Sequence, residues 1–283
     1  MKKYFSVALV ILLALSLAAC ATPSGQQATP AATAPANPTI RVSTTTSVND
    51  SGLLGYLQPL FEKETGYKLE ITSQGTGAAI KLGETGDADV LLVHAKAAEE
   101  EFIGKGFGVE RIPFMYNYFV IVGPKSDPAG VAKAKTASDA FKAIAQEGKA
   151  GFISRGDDSG THKAELKIWE AAGIQPKGDW YISAGAGMGA SLNTANEKQA
   201  YILTDKATYL SMKDNLDLEI LLEKNDELKN TYSLIAVNPE SAEGINAEGA
   251  QAFITWMTSK ATLDKIAKFG VDKYGEALFY ILK

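Results

Sequence analysis

The sequence predicts an α/β protein of two lobes, each a mostly parallel sheet flanked by helices. Three observations carry that reading. Short β-rich runs alternate with longer helical segments along most of the chain. Two similar turns, Asn49-Asp50-Ser51-Gly52 and Asp157-Asp158-Ser159-Gly160, each sit where a strand gives way to a helix. Two long strands, 116–122 and 231–238, are each closed by a proline turn at a break in composition, as two crossings of a hinge would be. The chain then leaves the first lobe and returns once. That assigns 39–123 and 239–283 to lobe 1 and 124–238 to lobe 2.

The N-terminus reads as an address label. Lys2 and Lys3 precede an apolar run from Val7 to Leu17, followed by Leu17-Ala18-Ala19-Cys20. Charge, length and small-residue cut site are those of a secretory signal over 1–19, and the run is too short for a stable membrane span. Leu-Ala-Ala-Cys also resembles the bacterial lipobox, in which the Cys carries lipid. Cys20 is the single cysteine of 283 residues, so it has no disulfide partner and is read as the lipid anchor. Residues 20–38 are rich in Ala, Thr, Pro and Gln without apolar periodicity, the composition of a disordered tether. An extracytoplasmic, membrane-anchored body follows as the expectation.

Charge narrows the partners. The chain has 28 basic and 33 acidic side chains, net −5. Losing Lys2 and Lys3 with the signal leaves 26 against 33, net −7. That balance argues against nucleic acid, and any anion must be drawn by local N–H groups.

In chain order, Thr39 to Ser43 is the first strand, and Gly52 to Lys63 sets Leu53, Leu54, Leu57, Leu60 and Phe61 at helical spacing up to Gly66. Tyr67 to Thr72 alternates as a strand, and Ser73-Gln74-Gly75-Thr76-Gly77 opens a helix reaching Glu84. Asp87 to His94 is a buried strand ending in a histidine, followed by a helix from Ala95 to Ile103. Beyond the strand 116–122, a helix over 138–146 leads to Ala150-Gly151-Phe152-Ile153. Ser154-Arg155-Gly156-Asp157-Asp158-Ser159-Gly160-Thr161-His162 is then a turn into the helix 163–172. Small residues over 185–192 lead to helices at about 194–200 and 204–212. Strands over 216–221 and 231–238 and helices over 247–257 and 262–268 complete the chain.

Four stretches converge on anion chemistry: Thr44 to Ser47, Ser73 to Gly77, His94, and Ser154 to His162. In open α/β sheets ligands collect beyond the carboxyl ends of the strands, where all four lie. Hydroxyls and helix-start N–H groups donate without adding charge, and Arg155 adds a planar fork suited to paired oxygens. Each stretch also has a plainer reading. Ser, Thr and Asp before a helix are ordinary caps, His94 could bond a neighbouring loop, and Arg155 could pair with Asp157 or Asp158. Ser159 and His162, three apart, raise the alternative of a secreted serine hydrolase, but no Gly-x-Ser-x-Gly elbow accompanies them. No catalytic residue, cofactor or free metal-cation site is assigned.

These blocks, with Gly187-Met188-Gly189-Ala190-Ser191-Leu192-Asn193 and Tyr201-Ile202-Leu203-Thr204-Asp205, resemble the TupA-type tungstate-binding proteins of bacterial ABC importers. The resemblance runs from Ile40 to the C-terminus. It implies a type II periplasmic binding fold, tungstate in the interlobe cleft, and delivery to a membrane permease with its ATPase. Molybdate is the alternative ligand, followed by sulfate or phosphate. Thr45, Thr46, Ser47, Thr76, Gly77 and His94 are expected to face the ion from the first lobe, and Arg155, Ser159 and Thr161 from the second.

Overall fold

A computed structural model of the protein describes residues 35–282. The signal segment, most of the tether and Cys20 lie outside them. The first stretch runs β1 (Thr39–Thr45), α1 (Thr46–Asp50), α2 (Leu53–Thr65), β2 (Lys68–Gln74), α3 (Thr76–Glu84), β3 (Val90–Val93), α4 (Lys96–Gly104) and β4 (Ile112–Pro124). The middle runs α5 (Ala137–Glu147), β5 (Phe152–Ser154), α6 (Gly160–Ala171), β6 (Tyr181–Ser183), α7 (Met188–Lys198), β7 (Tyr201–Asp205) and α8 (Lys206–Met212). After β8 (Leu218–Leu222) and β9 (Lys229–Ala236) come α9 (Ala247–Thr258), α10 (Lys260–Ile266), α11 (Val271–Tyr274) and β10 (Tyr280–Ile281).

The strands pair in the order β2-β1-β3-β9-β4-β7-β5-β6, with β8 and β10 also on β4. Each wing is parallel: β1 with β2 and β3, and β5 with β6 and β7. The centre is antiparallel and built on β4. Its residues 112–118 pair with β9, and 119–122 pair with β7. β4 thus passes from one half of the sheet to the other. β9 pairs with β3 and with the first half of β4, although the sequence reading placed 124–238 in the second lobe. β9 ends at Ala236, before Pro239.

The apolar runs are long because the strands are covered on both faces. In β3, Val90 and Leu92 join one core cluster while Leu91 and Val93 join another. In β4, Val120 and Val122 face the first cluster, and Phe119 and Ile121 face a third around Phe141, Phe152 and Trp169. α2 buries Leu53, Leu54, Leu57 and Phe61 and stops at Gly66, whose φ of 79° completes a left-handed C-terminal turn. α5 starts where the Thr136 hydroxyl accepts the Asp139 N–H at 3.0 Å.

Two differences concern the middle of the chain. The helix expected at about 194 begins at Met188, because glycine and small residues over 185–190 are its first turn as well as its approach. The segment expected as a helix from Thr204 is first a strand, β7, whose five residues are all buried. Asp205 then caps α8, accepting the Thr208 N–H and hydroxyl at 2.8 Å each.

Candidate functional site

The ends of β1 and β3 and the start of α3 carry the first group of expected donors, taken as one wall of the candidate site. Ser43 and Thr44 are spent on structure, their hydroxyls donating to the carbonyls of Ala79 at 2.9 Å and Leu92 at 2.8 Å. The next hydroxyls form a chain. Thr45 Oγ1 lies 3.2 Å from Ser47 Oγ, which lies 3.0 Å from His94 Nε2. Thr46, half-buried, opens α1 between them. Thr76 opens α3 with its side chain fully buried, and its Oγ1 has no hydrogen-bond partner among the described residues. Gly77 follows at the cleft's rim.

His94 is neutral near physiological pH. Burial pushes its imidazole down to about 4, the Arg155 charge adds to the effect, and the Asn230 side chain opposes it. The ring packs 4.8 Å from that of Tyr232, whose hydroxyl accepts from Asn230 Nδ2 at 2.8 Å; Asn230 Nδ2 also reaches Asn117 Oδ1 at 3.0 Å.

The second wall is the turn after β5. Gly156 takes φ 60°, and a side chain there would collide with Ser183. Arg155 is 3% exposed. One terminal nitrogen donates to Asp157 Oδ2 at 2.5 Å, while its Nε has no partner among the described residues. Burial works against ionising Asp157, but hydrogen bonds from Ser159 and the Arg155 charge prevail and hold its carboxyl below the usual range. Ser159 caps α6, its Oγ accepting the His162 N–H at 3.2 Å. Thr161 is 1% exposed and its Oγ1 is also unpartnered among the described residues.

Behind this wall lies Glu165. Its Oε1 accepts from the Tyr181 hydroxyl at 2.7 Å and Trp169 Nε1 at 3.1 Å. Burial outweighs those donors and raises its carboxyl to about 7.

The walls meet at two places. A methyl group at Gly160 would collide with the His94 imidazole, so the start of α6 touches the end of β3. A methyl at Gly77 would stand 3.1 Å from Asp158 Oδ2, joining α3 to the second turn. The plainer readings hold in part, since Ser159 does cap and Arg155 does pair. The nucleophile-and-base arrangement is not formed, because Ser159 Oγ meets the His162 backbone, and His162 Nδ1 accepts the Asp158 N–H at 3.1 Å. Sequence reasoning missed Asn117, Asn230, Tyr232 and Glu165. A polar residue at 117 inside the most apolar strand was the available signal.

Buried polar groups are nearly always paired, and an isolated one costs roughly 1–3 kcal/mol. Among the described residues the buried side-chain atoms without a partner are Thr76 Oγ1, Arg155 Nε and Thr161 Oγ1, with Ser154 Oγ, Ser233 Oγ and Glu99 Oε1. Two parallel wings on an antiparallel centre define the fold of a solute-binding protein of the periplasmic type. Residues 29–261 match the model of the PBP superfamily domain. The tungstate-binding protein TupA of Peptoclostridium acidaminophilum is 49% identical over 283 residues, covering 99% of this chain and 98% of that one. Among solved structures, the tungstate ABC transporter from Geobacter sulfurreducens is 49% identical with TM-score 0.75, over 82% of this chain and 98% of that one. The tungstate-binding protein TupA of Desulfovibrio alaskensis G20 is 44% identical with TM-score 0.75, over 87% and 99%. The chain belongs to the PBP superfamily and, within it, to the TupA family.

Proposed function

We propose that the protein is the solute-binding component of an ABC importer, capturing tungstate in the cleft and handing it to a membrane permease with its ATPase. The carrying observation is the set of buried, unpartnered donors on both walls: Thr76 Oγ1 on one, Arg155 Nε and Thr161 Oγ1 on the other. Tungstate at neutral pH is a tetrahedral dianion without a proton, so it rewards donors and gains nothing from an acceptor. Phosphate near pH 7 retains a proton and needs one. In this reading Thr45, Thr46, Ser47, Thr76, Gly77 and His94 bind from one lobe, and Arg155, Ser159 and Thr161 from the other. The lobes, 39–123 with 239–283 and 124–238, close about the central strands β4 and β9. The role is binding without catalysis. Cys20 anchors the body outside the cytoplasm; among the described residues no helix is long and apolar enough to cross a membrane.

Competition calorimetry tests the assignment. Tungstate is expected to bind tightest, molybdate next, and sulfate and phosphate at least tenfold more weakly, about 1.4 kcal/mol each. Phosphate outcompeting tungstate would overturn it.

A further inference from the structure

The His94–Gly160 contact borders a cleft of about 830 Å³. It lies between α4 and α6 and is floored by Phe119 of β4 and the start of β9. Lys96, Arg111, Lys163, Lys167 and Lys229 line it. Its two carboxylates are already engaged. Glu101 takes the Lys105 ammonium at 2.6 Å, and Glu227 accepts the Ser138 N–H at 2.7 Å and hydroxyl at 3.1 Å. Arg111 is offset by fully buried Glu99 at 2.5 Å, Lys96 by Glu100 at 3.6 Å, and Lys163 by Asp158. Lys167 and Lys229 have no carboxylate within salt-bridge distance among the described residues. The Lys229 ammonium rests 4.2 Å from the centre of the Tyr116 ring. The cleft is thus a chamber lined by five basic and two acidic side chains, with Lys167 and Lys229 the cations not offset among the described residues, in a chain of net charge −5.

We propose that this chamber is a loading vestibule, a transient site for oxyanion dianions that concentrates them at the His94–Gly160 contact before closure. The inference rests on the oxyanion reading above. An acidic protein repels a dianion at long range, and a concave lining of opposite sign focuses an attractive field where it is needed. His94 lines the cleft and meets Ser47 at 3.0 Å, so one imidazole lies between the lysine rim and the hydroxyl chain. A vestibule acts on the rate of capture, while release is governed by the inner shell.

Stopped-flow tryptophan fluorescence of the full chain with sodium tungstate separates the two. The variant K96Q/K167Q/K229Q is compared with K125Q/K149Q/K177Q, which changes net charge equally at exposed positions outside the cleft. At low salt the first triple is expected to lower the association rate roughly tenfold, the second less than about twofold, with dissociation unchanged in both. The difference should vanish near 1 M salt, where screening acts within about 3 Å. Equal effects of the two triples, or an unchanged association rate, would overturn the vestibule. K167Q and K229Q alone serve if the triple misfolds, each expected to slow capture by about twofold or more. If molybdate or sulfate binds with the same rate pattern while tungstate does not bind, the vestibule stands and the tungstate assignment falls.

Discussion

The two walls of the cleft handle charge differently. In the first, Thr45, Ser47 and His94 form a neutral chain, supported from behind by the amides of Asn117 and Asn230. In the second, Arg155 is set against Asp157, and the residue behind it is a buried carboxyl, Glu165. In the proposed site, shape and dehydration fall to the first wall and recognition of charge to the second. Where the two walls meet, a neutral imidazole lies against Gly160. An anion can then be gripped without two cations confronting each other in the empty cleft.

Arg155→Ala gives the sharpest break in that comparison. Charge-assisted hydrogen bonds contribute roughly 1.5–3 kcal/mol each, so losing the guanidinium should weaken tungstate binding about a hundredfold by calorimetry. Asp157→Asn frees the same guanidinium and should leave affinity equal or higher. A loss in Asp157→Asn matching that of Arg155→Ala would make the ion pair, rather than the guanidinium, the binding unit.

The supports differ in their response to pH. Glu165 titrates near 7 when folded against an ordinary value of 4.5, so its contribution is full below 4.5 and lost as pH rises through 7. His94 is shifted the other way, to about 4 from 6.5, so its contribution is full above 6.5 and lost as pH falls through 4. Between pH 4.5 and 6.5 the two slopes oppose each other. In urea unfolding, Glu165→Gln should gain on the wild type as pH rises from 5 to 8, by roughly 2–3 kcal/mol. A difference that stays constant across that range would deny Glu165 its raised value.

This contrast also explains what was legible in the sequence. Turns such as Thr44 to Ser47 and Ser154 to His162 announce themselves because donors, glycines and a helix start are consecutive in the chain. The supporting residues do not. Asn117 and Asn230 lie 113 positions apart and meet only because β4 and β9 pair in that register. Glu165 sits on the buried face of α6, where a glutamate reads as an ordinary helix former. β7 was hidden for a related reason. Tyr201 to Asp205 carries both a strand and the cap of the next helix, and local pattern alone favoured the helix.

The smallest expected effect separates binding from structure on both walls at once. Thr76 and Thr161 each bury a hydroxyl without a partner among the described residues. Valine has nearly the same shape and no hydroxyl, so either substitution removes an uncompensated polar group from the ligand-free protein. Thr76→Val and Thr161→Val should therefore leave ligand-free stability unchanged or raise it by up to about 1 kcal/mol. Each should also weaken tungstate binding roughly tenfold by removing one donor to a charged ligand. The opposite signs are the test. If Thr76→Val lowers ligand-free stability and spares affinity, that hydroxyl serves the fold, and the first wall reduces to the Thr45–Ser47–His94 chain.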